Sequence, residues 1–594
     1  MTSPKIPGVY VQEIPTLPPG VAEVNSAIPA FIGYTSTTTF NEVELKNKPV
    51  KIQSMLEFTR MFGGSSPVSI TNVTANLTDT QNNATVNNQF YLYDSLQLYF
   101  LNGGGPCYIV ATGSFSDPIN KNAFVSALDA LDFYDEPTLY LFPDSVKLSS
   151  DDLAAVQQLA LAKCQSLMDR FCIFDLQNTG GLQKTDDFRN KVGMASLKYG
   201  AAYTPWLITS FDKNIQAEQL GGIFTILSGQ DTSILNQDTG GGVMLSAKIN
   251  EYKSLLDNLA LLKATPSVSI YSALEAGIDT YSGGAKKTKN PFDAAEIAKP
   301  IFDFATASAV FSDTYDSKIE SAINTWKAEY DLLDGATDEE KAQNKTIFLS
   351  KLLNDPDFEM FKDVHAAMVN AMKSNVNAYE TLFTEKIPYY ASLLKILAGK
   401  LTILPPSGAM AGLYCKNDNE RGVWKAPANI SVSSVSGVSQ LFTQSDLADL
   451  NVDPVAGKSI NVIRPITGYG VMVMGARTLA GNDSEWRYIP VRRLFIFIEE
   501  NLKKSTAWAV FEPNDRLLWL KIRTQIENYL FELWRRGALA GAKPEHAYQV
   551  SCGLNSTMTP QDVLEGKLNV QIMLAAVRPA EFIVLKFSHQ LQKS

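Results

Sequence analysis

A multi-domain α/β (α+β) chain with a large, mainly helical inserted domain is the fold class this sequence predicts. Three observations carry that expectation. Short apolar runs alternate with helical patterns up to about residue 208. From 209 to 402 long helical patterns dominate and strand signals are few. From 403 onward strand and helix signals alternate again.

In chain order, Pro4 and Pro7 on one side and Pro15, Pro18 and Pro19 on the other flank GVYVQEI at 8–14. The prolines bar a helix, so the middle reads as a lone strand whose partner lies elsewhere in the fold or on another chain. Residues 27–34 read as the first buried strand. The spacing predicts a helix over 50–62, ended by Gly63-Gly64, and an exposed loop or short β insertion over 71–88. Helices follow at 90–101, 124–131, 153–170 and 188–199. Strands are predicted at 107–111, 138–142, 171–176 and 201–207. The insertion carries helical stretches at 316–333, 339–353 and 369–398. Beyond it come strands at 459–466 and 471–476, helices at 491–505 and 514–537, and two closing strands at 568–577 and 581–587. The 581–587 run, like 8–14, has little to pair with locally. The implied division is 1–26, 27–208, 209–402, 403–565 and 566–594.

Composition narrows the chemistry. The net charge of −10 disfavours wholesale nucleic-acid binding. The charge is unevenly spread: 31 Lys+Arg against 45 Asp+Glu in the first 402 residues, and 21 against 17 in the remainder. Chance variation among solvated faces would account for that, and so would two regions facing different partners. Five dispersed cysteines (Cys107, Cys164, Cys172, Cys415, Cys552) without a C-x-x-C pair suggest buried, reduced thiols. No basic segment with an apolar core opens the sequence, and no apolar run approaches the length of a membrane span. Cytoplasmic folding is the expectation.

Candidate catalytic groups are scarce. His365, His546 and His589 are too scattered to form a metal site or a triad. Ala456-Gly-Lys-Ser459 imitates the end of a phosphate loop, but Val452 stands where the pattern needs glycine. The glycine triplets at 103–105 and 240–242 lack the dinucleotide fingerprint and read as turns. The predicted helix from Arg516 to Arg536 places Leu517, Leu520, Ile526, Leu530, Leu533 and Trp534 near one stripe. Arg516, Lys521, Arg523, Arg535 and Arg536 make its remaining surface basic, suited to an acidic partner. No catalytic, cofactor-binding or metal-ligating residue is predicted.

The most informative stretch is PPSGAMAGLYCKNDNERGVWKAPAN at 405–429, which reads as a rigid, shaped loop. It resembles the signature of contractile tail sheath proteins, found in contractile phage tails and related injection systems. Further blocks look like the same family: GVYVQE at 8–13, NGGGPCYIV at 102–110, AYTPW at 202–206, GAR at 475–477, YIPVRRL at 488–494 and FEPN at 511–514. Together they span 1–207 and 403–594, which leaves the helical region as an insertion on the outer surface.

The resemblance implies a structural subunit, not an enzyme, that polymerises with its own copies into a six-fold helical tube around an inner tube protein. Contraction of that tube would drive ejection. Baseplate and tail terminator or cap proteins are implied partners; nucleic acid, cofactors and membrane insertion are not. The terminal strands become inter-subunit arms: Val9, Tyr10, Val11 and Ile14 at one end, Phe582, Ile583, Val584, Leu585 and Phe587 at the other. Arg516, Lys521, Arg523, Arg535 and Arg536 become tube-facing residues. Pro405, Arg421, Trp424 and Lys425 of the signature loop become structural or inter-subunit contacts. An α/β binding or nucleotide-utilising protein with a helical insertion, or another tail or baseplate protein, is the competing reading.

Overall fold

The computed structural model describes residues 21–211 (apart from 22, 42, 67, 75–82, 89 and 180–181), short segments within 247–255, 370–385 and 395–400, and 401–582 apart from 454. These residues fall into two compact units. One draws on Met1–Pro67, Asn88–Asp212 and Leu401–Ser594, the other on Val68–Asn87 and Lys213–Lys400.

The first unit is built on a nine-stranded sheet. Its strands are β1 (Pro29–Thr35), β2 (Val50–Ile52), β3 (Cys107–Ser114), β4 (Leu139–Leu141), β5 (Phe171–Asp175), β6 (Gly200–Thr204), β7 (Ile430–Ser431), β8 (Asn461–Ile466) and β9 (Gly470–Val473). Their order is β7-β9-β8-β6-β5-β4-β1-β3-β2. The pairs from β8 to β3 are all parallel, while β2 on β3, β8 on β9 and β7 on β9 are antiparallel. Strands β1, β5 and β6 are buried along their full length. That is why they read as continuous apolar runs: helices cover both faces of a parallel sheet.

The helices relevant here are α1 (Met55–Phe62), α2 (Leu92–Leu101), α3 (Lys121–Leu131), α4 (Ser150–Leu167), α5 (Ser407–Arg421), α6 (Ile489–Ser505) and α7 (Arg516–Arg535). Side-chain caps set several starts: Ser54 accepts from Glu57 N, Asn120 from Ala123 N and Ser149 from Asp152 N. The Ser54 cap corrects the helix expected over 50–62. The chain before the cap is instead strand β2, paired with β3. The helix expected over 188–199 is also different: a short helix, Thr185–Lys191, is followed by a 3-10 turn, Leu197–Tyr199.

A fully buried carboxylate fastens β1 to the start of α2. Asp144 accepts the backbone N–H of Tyr34 at 2.7 Å, Tyr91 at 2.5 Å and Leu92 at 3.1 Å. Burial pushes its carboxyl up to about 6, against the pull of those three N–H groups. A Cβ at Gly33 would lie 2.3 Å from Asp144 Oδ2, so only glycine fits beside the carboxylate.

In the second unit, Val68–Thr74 and Asn83–Asn88 form a two-stranded sheet. Tyr252 and Phe383 are buried with ring centroids 5.1 Å apart. Residues 373–385 are helical, within the helix expected over 369–398; the helices expected over 316–333 and 339–353 lie outside the described residues.

Candidate assembly interface

After the sheet, the chain builds a small module with its own apolar core, centred on Leu494, Phe497, Ile498, Ile522, Leu530 and Leu533. Pro490 opens α6, and the Asp515 side chain caps α7 by accepting from Leu518 N. Gly537, at φ +81°, ends α7. Two strands follow, β10 (Tyr548–Cys552) and β11 (Val570–Leu574), paired antiparallel with Val550 opposite Ile572. Alternation turns Tyr548, Val550 and Cys552, with Val570, Ile572 and Leu574, to one face; Gln549, Ser551, Gln571 and Met573 take the other.

Beside β11 lies a groove of about 930 Å³, walled by Leu502, Leu518, Ile522, Val570, Ile572 and Leu574, with Glu499, Lys503 and Glu512 also lining it. Its sheet wall comes from β11 alone; no residue of β10 lines it. Among the described residues, β10 and β11 form a sheet of only two strands. Among the described residues, nothing pairs with the outer edge of β11, which lies next to an open apolar trough. A strand laid along that edge would satisfy both at once, through main-chain bonds and through alternate side chains in the trough.

The predicted arm residues Val9, Tyr10, Val11, Ile14, Ile583, Val584, Leu585 and Phe587 lie outside the described residues. Phe582 is described and exposed. It and Glu581 are not in a strand, so the strand expected from 581 does not begin there.

The roots of both terminal segments are tied down. At the carboxyl end Glu581 Oε1 accepts from Arg477 Nε and Asn451 Nδ2, both at 2.8 Å. Its Oε2 accepts from Arg477 Nη2 at 2.6 Å and from the Tyr488 hydroxyl at 3.0 Å. Burial raises this carboxyl, but the bonds from Arg477 and Asn451 prevail and hold it below the usual glutamate range. At the amino end Val24 N donates to Asn501 Oδ1 at 2.7 Å, and the Ser26 hydroxyl to Asp418 Oδ2 at 2.6 Å. The Ser26 carbonyl accepts from Arg493 Nη2 at 3.1 Å. Arg493 also grips Asp418 through both Nη atoms, at 2.9 and 2.6 Å, with both side chains all but fully buried.

The 405–429 block is not a loop. Most of it is helix α5, and the expectation fails for a physical reason. Two of its glycines, unfavourable in an isolated helix, are here required by packing against α2. A Cβ on Gly408 would meet the Ser95 carbonyl oxygen at 2.2 Å, and one on Gly412 the Tyr99 carbonyl oxygen at 2.5 Å. The helix start is satisfied from another strand: Asp175 on β5 accepts Ser407 N at 2.8 Å and Ser407 Oγ at 2.5 Å. Burial pushes Asp175 up to about 7, against those two bonds. Pro405 is buried at the helix entrance, and Trp424 is buried after the turn at Gly422. Arg421 and Lys425 are exposed.

All five predicted basic residues, Arg516, Lys521, Arg523 and Arg535 on α7 and Arg536 at its C-cap, are exposed. Three are engaged: Arg523 with Glu527 at 2.8 Å, Arg535 with Glu532 at 3.4 Å, and Arg536 with Glu23. The Arg536 guanidinium also lies 5.1 Å from the centre of the Trp424 ring. The apolar stripe needs correction. The buried set is Leu518, Ile522, Ile526, Tyr529, Leu530 and Leu533, while Leu517 and Leu520 are 58% and 59% exposed. Adjacent leucines at 517 and 518 fit two phases of one helix, and only tertiary packing chooses between them.

The phosphate-loop look-alike resolves as an internal anion nest. Asp453 accepts Val455 N at 3.0 Å and Lys458 N at 3.2 Å, with Gly457 at φ +69° supplying the turn. Lys458 is buried and donates to the Arg189 carbonyl. The site a phosphate would need is filled by the chain's own carboxylate. Among the described residues, no cluster of His, Cys, Asp and Glu has the makings of a metal site. Also among them, no helix is long and apolar enough to cross a membrane.

Against known proteins, residues 481–589 match the family model for the phage tail sheath C-terminal domain. The tail sheath protein of Vibrio phage KVP40 is 25% identical over 185 residues, 31% of this chain and 26% of that protein. The tail sheath protein of Enterobacteria phage T4 is 26% identical over 184 residues, 31% of this chain and 27% of that protein. The matched part thus spans about a quarter of these curated relatives' length. Two solved structures are similar in fold along the chain. The PVC sheath complex of an extracellular contractile injection system, in its contracted state, is 21% identical with a TM-score of 0.53, covering 100% of this chain and 99% of that one. The contracted helical sheath of the anti-feeding prophage is 24% identical with a TM-score of 0.52, covering 99% and 100%.

Proposed function

We propose that this chain, which is related to the contractile tail sheath proteins, is the subunit of a contractile sheath. In this reading it polymerises around an inner tube and drives the tube out by passing from an extended to a contracted arrangement. The role is structural and non-enzymatic, and the particle is a phage tail or phage-tail-like injection machine assembled in the cytoplasm. Baseplate and terminator proteins bound the polymer.

The open edge of β11 beside its apolar groove carries this reading. The arm at 8–14 and the run that follows Phe582 each supply a strand, so each subunit lends strands to a neighbour's two-stranded sheet. Such contacts are heterologous and do not close on themselves, which produces an open polymer. Contraction is then rigid-body rotation of the folded units while strand exchange keeps them linked. Small free-energy drops per subunit add along the tube, so no hydrolysis is needed. The exposed basic residues of α7 face the tube.

Negative-stain microscopy of the expressed full chain tests the proposal: hollow striated cylinders are expected. Ile572→Lys, which plants a charge in the groove, should abolish the cylinders while leaving a folded subunit. Discrete small particles from the wild type, or normal cylinders from the variant, would refute the strand-receiving groove as the basis of assembly.

A further inference from the structure

Resting on the sheath reading, the geometry points to a role for the fastenings at the arm roots. We propose that Glu581 with Arg477, Asn451 and Tyr488, and Ser26 with Arg493 and Asp418, are the points through which tension in the two arms enters the folded body. They are positioning residues: their task in contraction is to fix where each arm leaves the folded body.

The chemistry suits that task. The Glu581 carboxylate receives four hydrogen bonds from three side chains, two of them a bidentate arginine pair. Such charge-assisted, paired bonds fix direction as well as distance. Arg477 is itself immobilised, with its Nη1 donating to the Gly481 carbonyl at 3.2 Å. The three residues holding Glu581 come from 451, 477 and 488, so a pull on the carboxylate is shared between separate parts of the chain. At the other end, Asp418 on α5 and Arg493 on α6 form a pair that is 2% and 3% exposed. A buried ion pair adds little net stability over apolar packing of the same volume. Its use here is geometric: the same two side chains hold Ser26 by its hydroxyl and its carbonyl.

The arrangement also accounts for sequence blocks that had no assigned task. Arg477 lies in the GAR block, Tyr488 and Arg493 in YIPVRRL, and Asp418 in the 405–429 stretch. Blocks far apart in sequence thus converge on the two roots. Val21 and Val24 reach the module carrying β11: Val24 N bonds Asn501 on α6, and Val21 packs against the module's core. A root that slipped would lengthen the span to the neighbour, and the linked network would lose register as the units rotate.

Glu581→Gln tests the idea in two readouts on the full-length chain. In the isolated subunit, hydrogen exchange should rise at 578–582, while the main sheet stays protected and the melting temperature falls only slightly. In assembled sheaths driven to contract by mild denaturant, the variant should show several-fold more broken polymers than wild type. Tyr488→Phe, which removes one of the four bonds, should fall between. Unchanged exchange at 578–582 would overturn the fastening. So would exchange that rises while contracted sheaths stay as continuous as wild type, or breakage that merely tracks a fall in melting temperature. If exchange rises but the wild-type chain forms no tubular polymer, the sheath reading fails, and the proposed force path with it.

Discussion

Gly412→Ala is the most direct probe of the 405–429 stretch. In a free helix the change should stabilise by about 1 kcal/mol. Here the new Cβ would sit 2.5 Å from the Tyr99 carbonyl oxygen and 2.9 Å from Asn102 Cβ. Non-bonded contacts relax only near about 3.5 Å, and the Tyr99 oxygen belongs to backbone that cannot swing aside. The two helices must therefore separate by about 1 Å. Overpacking of this kind costs about 1–3 kcal/mol. The same displacement strains the buried bonds from Ser407 to Asp175, which contribute about another 1–2 kcal/mol. Setting the propensity gain against these terms leaves a net loss of about 1–4 kcal/mol. Urea unfolding followed by tryptophan fluorescence measures it. Asn419→Ala, at an exposed position of the same helix, is the propensity control and should be neutral or slightly stabilising. A Gly412→Ala protein as stable as wild type would show that backbone contact between α2 and α5 is not what the glycine provides.

Other expectations follow from the buried charges and the basic helix face. Arg493→Ala strands the Asp418 carboxylate without its partner and should cost about 3–5 kcal/mol, seen as a lost soluble yield or a large fall in unfolding midpoint. Asp175 has a folded-state pKa of about 7 against an ordinary 3.8. Its contribution to stability is therefore full below about pH 4 and is lost as pH rises toward 7. Asp175→Asn keeps an acceptor for Ser407 N and should flatten that part of the stability–pH curve; an unchanged slope between pH 4 and 8 would contradict the assignment. Reversing Arg516 and Lys521 to glutamate should weaken co-sedimentation with the inner tube. The gap from wild type should narrow as salt screens the charges; equal binding at low salt would count against a tube-facing α7.

The sequence by itself determined the central parallel strands of the main sheet, because strands buried on both faces must be apolar throughout; it misread edge strand β2 as helix and left β7 unmarked. The runs at β1, β5 and β6 could hardly be read otherwise. It also determined α6 and α7: Pro490 opens the first, and Asp515 and Gly537 bound the second. Periodicity could not choose the face of α7, since Leu517 and Leu518 satisfy different phases, and it could not recognise α5. In α5 the glycines that argue against a helix locally are demanded by α2 passing within van der Waals contact of their backbone. Nor could it assign Asp175, Arg477 or Glu581, whose partners lie 232 and 104 residues away along the chain. Local pattern records what a segment needs from solvent and core in general. Which backbone it must touch, and which distant charge it must meet, exists only once the chain has been brought together.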